Sequence, residues 1–472
     1  MALRHPESLH PATLPNCKCA YAGSAGEETE RQAALAAQLP VWRANLPILL
    51  EKFSRIPDPR RPGSMRHKLT VLLTFALFLF IFAYSSRREA NRELTRPTFW
   101  ELLREVFPEI ESIPHMDTVN RLLEKIDPDQ LEEVMVQTIK RLLRNRQLQA
   151  LLVEKHYIVA IDGTQKIARR WPWAKEALHR QRGEEVSYAA YALEAVLVGP
   201  QGVTIPLLTE FCENPAGEQA LFAKQDCELK GCKRLLVRLR KAFPKLRLMV
   251  VADGLYANGP MMTLCRQLHM DFMIILPRDR LPGVWEEAQA IRKLEKDQTL
   301  KYHWGNREQN FWWANHIDYE FREAPGSRRR LKIHVAGCTE TWEENGEKKE
   351  AHWAWVSSRP LTKQNIVARC NRAARHRWDI EENILTEKHQ GYQYEHAFSL
   401  NWTAMKNWHL IMHLGHLLNI LTLHTEALMG KVRELGLRGT LKFLRETWMH
   451  RWINRDQLLA LCIKAPRIRM AF

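Results

Sequence analysis

The sequence predicts an α/β protein with a mixed five-stranded sheet and flanking helices, a β-rich insertion, an all-α N-terminal region and a basic helical C-terminal tail. Three observations predict this class. Residues 40–150 show apolar residues at helical spacing, interrupted by prolines. Short β-rich runs begin at Tyr157, and residues 299–358 alternate aromatic with polar side chains. Long helical patterns return after Pro360.

The N-terminal region is predicted to be helical, with breaks at prolines. These are Pro57, Pro59, Pro97, Pro108, Pro114 and Pro128. The apolar run Leu69–Tyr84 has Thr70 and Thr74 as its only polar side chains. A helix of this length spans about 24 Å, which is shorter than a bilayer core of about 30 Å. We therefore predict a buried helix rather than a membrane span.

The core region alternates strands and helices. The predicted strands are Tyr157–Ile161, Ala192–Val198, Val203–Phe211, Leu246–Ala252 and Phe272–Leu276. The second and third are joined by the turn Gly199–Gly202, which predicts an antiparallel pair. Helices are predicted at Gln225–Phe243 and near Pro260–Leu268. The order is three strands, helix, strand, helix, strand.

The later part of the chain is predicted to hold an inserted β-region and then helices. Residues 299–358 contain six of the sixteen tryptophans, and we interpret them as the insertion. Helices are predicted at Thr362–Lys388 and Thr403–His424. The last segment, Lys431–Phe472, carries ten Lys/Arg and three acidic residues. This basic tail is suited to follow phosphates.

Composition indicates a polyanionic partner. The chain has 70 Lys/Arg against 54 Asp/Glu, a net charge of +16, which fits nucleic acid. The nine cysteines are scattered without zinc-knuckle spacing, which predicts reduced thiols. The first residues lack an apolar segment typical of a secretory signal, so we expect a cytoplasmic protein.

Two strands end in the same pattern, an aspartate followed by glycine. These are Asp162-Gly163 and Asp253-Gly254. An aspartate at the carboxyl end of a strand, before a glycine that lets the backbone turn, places a carboxylate at the sheet edge. Either one alone is more often an ordinary turn. Two on neighbouring strands predict a site for a hard metal such as Mg²⁺.

The predicted helix Thr362–Lys388 carries a third acid between two cations. Arg377, Glu381 and Lys388 share one helical face because they are separated by four and seven positions. A second pattern, His409, His413 and His416, has helical spacing that would suit a transition metal. Since no acidic or cysteine partner is near it in the sequence, we interpret these histidines as structural.

These residues resemble the DDE transposases of bacterial insertion sequences, within the ribonuclease H-like, retroviral-integrase superfamily. The group concerned is marked by Tyr-x2-Arg-x3-Glu-x6-Lys. Arg377, Glu381 and Lys388 match with the right gaps, and Ala374 stands where the family has tyrosine. Ser357–Pro360 looks like the family's exit from a β-insertion. Trp353 stands at the place of a family tryptophan that stacks on a flipped base.

The resemblance implies a division of the chain and roles for its residues. It implies a ribonuclease H-like catalytic core at 151–298 and 359–425, interrupted by an insertion at 299–358. Residues 1–150 would bind DNA ends, and 426–472 would form the basic tail. By the family's pattern, the catalytic and metal-binding residues are Asp162, Asp253 and Glu381, and the DNA-binding residues are Arg377, Lys388 and Trp353.

The resemblance also implies the cofactor and the partners. Two Mg²⁺ ions, for which Mn²⁺ can substitute, would serve cleavage and strand transfer. The partners would be double-stranded DNA, as transposon ends and target, and further copies of the chain in a homodimer or larger assembly. No membrane is expected, and the protein would associate with the nucleoid.

Three functions remain open from the sequence. The first is a transposase that cleaves and joins DNA. The second is a nuclease or recombinase of the same fold without strand transfer. The third is a domesticated DNA-binding protein without catalysis. All three predict basic surfaces, but the third does not require the three acids.

Overall fold

The N-terminal and C-terminal parts of the chain are helical, as predicted. The computed structural model describes residue 21 and residues 23–199, 202–214, 226–323, 326–450, 455–463 and 470. The α-helices in these residues are α1 (Ser24–Ser54), α2 (Leu69–Ile81), α3 (Arg87–Leu94), α4 (Pro97–Val106), α5 (Met116–Leu123), α6 (Pro128–Arg144), α7 (Glu228–Ala242), α8 (Gly259–Gln267), α9 (Pro282–Leu294), α10 (Asp379–His389), α11 (Trp402–Leu423), α12 (Glu426–Met449) and α13 (Arg455–Ile463). The rest of the predicted basic tail lies outside the described residues.

Prolines begin three of these helices, α4, α6 and α9, and the most apolar helix is buried. Pro97 and Pro128 occupy the first turn of α4 and α6, where a missing backbone N–H costs little. All residues of α2 except Thr70 are buried, which confirms the predicted buried helix. Within the described residues, no helix has both the length and the apolar character needed to cross a bilayer.

The strands form one large mixed sheet. They are β1 (Leu152–Val153), β2 (His156–Arg169), β3 (Leu178–Arg182), β4 (Glu185–Val198), β5 (Thr204–Cys212), β6 (Leu248–Ala252), β7 (Asp271–Ile275), β8 (Thr299–Trp304), β9 (Arg307–Arg322), β10 (Arg328–Glu344) and β11 (Glu347–Ser357). The main strand order is β3-β4-β2-β6-β7-β11-β10-β9-β8, with β5 paired to β4 and β1 to β2. The predicted mixed α/β class is confirmed.

The five predicted core strands lie together in this sheet. β5, β4 and β2 are antiparallel neighbours, whereas β2, β6 and β7 are parallel. Within the turn predicted between β4 and β5, Pro200 and Gln201 lie outside the described residues. The insertion is β-rich, as predicted, and β11 pairs antiparallel with β7. The insertion therefore extends the core sheet.

Alternate residues of the core strands pack on opposite faces of the sheet. On one face, Val159 and Ile161 of β2 share a buried cluster with residues of α7 and α8. On the other face, Ile158 and Ala160 pack with Ile380 of α10. This second face is the one that carries Asp162, because its position has the same parity as residues 158 and 160.

The prediction of one continuous helix over Thr362–Lys388 is wrong, because the segment before α10 is not a regular α-helix. Ala368–Ala373 is a π-helix, Ala374–Trp378 is a 3-10 helix, and α10 begins only at Asp379. The buried Arg369 lies in the π-helical turn, 3.7 Å from an oxygen of Asp271 on β7. π-helical turns occur often at functional sites.

Candidate functional site

Asp162 and Asp253 lie level with each other at one edge of the sheet. The last pair of the parallel strands β2 and β6 is Ala160 with Val251. Each aspartate lies two residues beyond this pair, so the two carboxylates leave neighbouring strands at the same height. β6 ends before Asp253, whose Oδ1 accepts a hydrogen bond of 2.8 Å from the backbone N–H of Leu255. The structure thus brings the two predicted aspartates together.

The two glycines are explained by close packing. The sequence suggested that β2 ends at Asp162, but the strand continues to Arg169. Tyr191 of β4 crosses above Gly163, and a Cβ there would lie 2.4 Å from its hydroxyl oxygen. A Cβ on Gly254 would lie 2.3 Å from Cγ of Pro277. A larger residue at either position would clash with one of these two side chains.

Glu381 approaches this edge from the helical layer above it. It lies in the first turn of α10, and Arg377 lies in the preceding 3-10 helix. Although the two residues are not on one regular helix, Arg377 Nη1 donates to Glu381 Oε1 at 2.9 Å. Arg377 is 3% exposed and its guanidinium covers the ring of Trp378 at 4.1 Å. The site therefore contains a buried cation.

The negative charges of Glu381 and Asp253 act on Asp162. The pKa of Asp162 is raised to about 6, by burial first and also by the negative charges of Glu381 and Asp253. Burial likewise raises the pKa of Asp253. The positive charge of Arg377 opposes both shifts. Raised pKa values mean that the ionised carboxylates are unfavourable in this environment, and a bound cation would stabilise them.

A fourth carboxylate, Glu228, was not found by sequence reasoning. It lies in the first turn of α7 and accepts hydrogen bonds of 2.6 Å from the Tyr191 hydroxyl and 2.7 Å from the Tyr256 hydroxyl. Its charge acts on Asp253. An acid at a helix start is common, so its position gave no sequence signal.

Lys388 and Trp353 lie in different surroundings from the three acids. Lys388 Nζ pairs with an oxygen of the exposed Glu395 at 3.0 Å. Trp353 is half-buried on β11, and its Nε1 donates to Glu340 Oε2 at 3.1 Å. The guanidinium of Arg375 lies 4.6 Å from the centre of the Trp353 ring. One face of that ring is therefore already covered.

The histidines of α11 do have acidic partners, so the expectation that they lack them is wrong. Glu194 of β4 and Glu387 of α10 reach His409, His413 and His416 in the folded chain. Among the described residues, Glu194, His409 and His413 are the group of possible ligands whose atoms all lie within 4.8 Å of one another. This buried group has the donors to bind a metal ion.

The comparison with known families concerns the N-terminal helices. Residues 50–139, from the end of α1 to α6, match the family model described as DDE_Tnp_1-associated. No curated protein matches the chain. The matched domain is found in DDE-type transposases, and the match supports the assignment of this chain to the DDE transposase family.

Proposed function

We propose that this chain is a DNA transposase that cleaves DNA at transposon ends and joins those ends to target DNA in a metal-dependent reaction. The observation that carries the proposal is the placement of Asp162, Asp253 and Glu381 around the buried Arg377 at one sheet edge. The strand order β5-β4-β2-β6-β7 supports a ribonuclease H-like core. The family match at 50–139 supports the transposase class.

The donor set of the site fits hard divalent cations. Asp162, Asp253 and Glu381 offer only carboxylate oxygens, which Mg²⁺ prefers, and Mn²⁺ accepts the same donors. When bound, two such ions supply activation of the attacking oxygen and stabilisation of the leaving oxygen. The three carboxylates of Asp162, Asp253 and Glu381 would hold these cations at the edge of the sheet.

Arg377 is suited to a change of partner during the reaction. In the structure it neutralises Glu381, and its Nε has no hydrogen-bond partner. With Glu381 as a ligand of a cation, the Arg377 guanidinium would be available to hold a phosphate next to the scissile bond, because its forked geometry matches two oxygens. Lys388 would exchange its exposed partner Glu395 for a second phosphate.

Trp353 is proposed to stack on a base displaced from the duplex. Arg375 covers one face of its ring, so a base would stack on the remaining surface or displace the guanidinium. Stacking of a base on an aromatic ring contributes about 1 to 3 kcal/mol. The expected result for Trp353→Ala is loss of DNA cleavage or hairpin formation with retained end binding, measured by gel shift and cleavage assays. Full activity of this variant would remove the residue from the mechanism.

The proposal divides the chain into four functional parts. Residues 1–150 bind the transposon ends, 151–298 and 359–425 form the catalytic core, 299–358 form the insertion, and 426–472 follow DNA with their basic side chains. The net charge of +16 supports double-stranded DNA as the partner. Because two ends are joined to one target, we propose that the working form is a homodimer or a larger assembly on the nucleoid.

The experiment combines purified protein, a linear DNA with candidate terminal inverted repeats, Mg²⁺ or Mn²⁺, and a target plasmid. Joined products that vanish with Asp162→Ala would support the proposal. Asp297→Ala, at an exposed turn before β8, is the matched control and should keep full activity. Cleavage without joining would indicate a nuclease or recombinase. DNA binding without cleavage under any metal would indicate a domesticated binding protein.

A further inference from the structure

A second group of possible metal ligands lies wholly inside the protein. It consists of Glu194 on β4, Glu387 on α10, and His409 and His413 on α11, and we name it the His/Glu cluster. Its members are between 0% and 4% exposed. Charged side chains are rarely buried to this degree unless they pair with one another or bind a metal.

Donor atoms of Glu194, His409 and His413 all lie within 4.8 Å of one another, and Glu387 is in contact with this group through His413. His409 Nε2 is 3.0 Å from Glu194 Oε1, and His413 Nε2 is 3.4 Å from Glu387 Oε2 and 3.9 Å from Glu194 Oε2. Tetrahedral zinc with bonds of about 2.0 to 2.1 Å separates its ligand atoms by about 3.3 Å. Distances of 3.4 and 3.9 Å are long for hydrogen bonds between charged groups.

Two buried atoms of the cluster have no hydrogen-bond partner. His413 Nε2 and Glu387 Oε2 are buried, face each other, and form no hydrogen bond. A buried polar atom without a hydrogen-bond partner is unfavourable, and a metal between these two atoms would satisfy both.

Surrounding groups orient the two carboxylates. The Thr209 hydroxyl lies 2.7 Å from Glu194 Oε2, and the Tyr394 hydroxyl donates to Glu194 Oε1 at 2.7 Å. His416 Nδ1 lies 2.7 Å from Glu387 Oε1. Partners that fix the orientation of ligands in this way are a usual feature of metal sites.

We propose that Glu194, His409 and His413, with Glu387 as the fourth ligand, bind a structural zinc ion. Two histidines at positions i and i+4 of a helix, completed by a glutamate from another element, are an established zinc arrangement. The fourth ligand and the burial leave no open position, so the ion would be structural rather than catalytic. Imidazole nitrogens favour zinc over Mg²⁺ at this place.

The proposed ion would connect the elements that support the carboxylate site. Glu194 pairs directly with Asp162 in the register of β4 and β2, so both side chains lie on the same face of the sheet. Glu387 lies on α10, the helix that carries Glu381. Zinc would therefore fix α10 and α11 against the strand next to Asp162.

A proton is the competing occupant of the cluster. The buried Lys166 ammonium acts on both glutamates and donates to the Tyr394 carbonyl oxygen at 2.7 Å. Lys166 together with a protonated His413 would balance the two negative charges without metal. The experiment must therefore measure metal directly.

The test measures zinc in the full-length wild-type protein, purified without chelator in buffer that contains Mg²⁺. Elemental analysis is expected to find about one zinc per chain. A chelator that binds zinc strongly and Mg²⁺ weakly should remove it and lower the thermal midpoint, and added zinc should restore both. Cobalt(II) in its place should give the visible absorption of a tetrahedral site.

Variants identify the ligands. His413→Gln and Glu194→Gln should lose the zinc, whereas His389→Gln, at an exposed end of α10, should keep it. Wild-type protein with less than about 0.1 zinc per chain, and a thermal midpoint insensitive to zinc and chelator, would overturn the proposal in favour of the protonated network. This measurement uses wild-type protein, so it does not depend on whether a variant folds. Failure of the zinc proposal would not contradict the proposed Mg²⁺-dependent cleavage, which is tested separately.

Discussion

Removing the charge of Asp162 should stabilise the metal-free protein while abolishing cleavage. Burial first, and then the charges of Glu381 and Asp253, raise the pKa of this carboxyl from 3.8 to about 6. The folded state therefore carries an unfavourable ionised group above about pH 6, at a cost of at most about 3 kcal/mol. The value is an upper limit because the side chain is only partly buried and solvent screens part of the interaction.

Asp271 provides a matched control, because its pKa is shifted in the opposite direction from that of Asp162. Burial raises its pKa, but hydrogen bonds from His156 and Arg359 and the charge of Arg369 outweigh burial and lower the pKa to about 2. The ionised form therefore stabilises the fold above about pH 4, and this stabilisation is lost as pH falls through about 2. Asp271→Asn should lower the free energy of unfolding at neutral pH by up to about 2 kcal/mol.

The assay is urea unfolding followed by tryptophan fluorescence at pH 7.5, with EDTA and then with Mg²⁺. In EDTA, Asp162→Asn should be more stable than wild type, and Asp271→Asn less stable. Wild-type stability, relative to Asp162→Asn, should fall as pH rises from about 4 to about 6. Mg²⁺ should stabilise wild type and have little effect on Asp162→Asn. Lower stability of Asp162→Asn in EDTA, or equal stabilisation of both proteins by Mg²⁺, would refute the reasoning.

Three further predictions follow from single contacts. Gly254→Ala places a Cβ 2.3 Å from a carbon of Pro277, so it should lower the free energy of unfolding by about 1 to 3 kcal/mol and abolish cleavage. Gly283→Ala, where the added Cβ meets open space, is the control and should change neither stability nor cleavage. Trp448→Ala removes a ring stacked on Trp42 at 4.9 Å and should lower the free energy of unfolding by about 3 to 5 kcal/mol in urea; a loss below about 1 kcal/mol would contradict this packing role. Lys388→Ala should weaken binding to all DNA sequences alike and reduce the slope of log affinity against log salt by about 1, and an unchanged slope would exclude a phosphate contact.

The core strands could be predicted from sequence because each is a short apolar run. β6 and β7 lie within one or two residues of their predicted bounds, and burial on both faces gives such strands a continuous apolar signal. β3, by contrast, has the sequence Leu-His-Arg-Gln-Arg and was not predicted. It is an edge strand paired with β4, so pairing geometry rather than hydrophobicity defines it.

The broken helix before α10 could not be predicted because its cause lies far away in the sequence. Arg369 is buried within reach of Asp271, and Arg377 is buried against Glu381 near Asp162. A regular helix satisfies local spacing, whereas the π-helical turn brings the Arg369 guanidinium to Asp271 on the sheet, and the charge of Arg377 acts on Asp162. Hydrophobic periodicity carries no information about such long-range ion pairs.

The same distinction explains why one possible metal site was visible in the sequence and the other was not. Asp162 and Asp253 repeat one local pattern on two strands, so their meeting follows from the parallel register. Glu194 and Glu387 have no local pattern, and only the packing of α11 brings Glu194 to His409 and Glu387 to His413. Asp162 and Glu194 are nevertheless direct partners across two strands. The first site offers only carboxylate oxygens, whereas the second combines carboxylates with two imidazole nitrogens. The two proposals therefore assign different ions to neighbouring positions, a hard cation for the reaction and a transition metal for the fold.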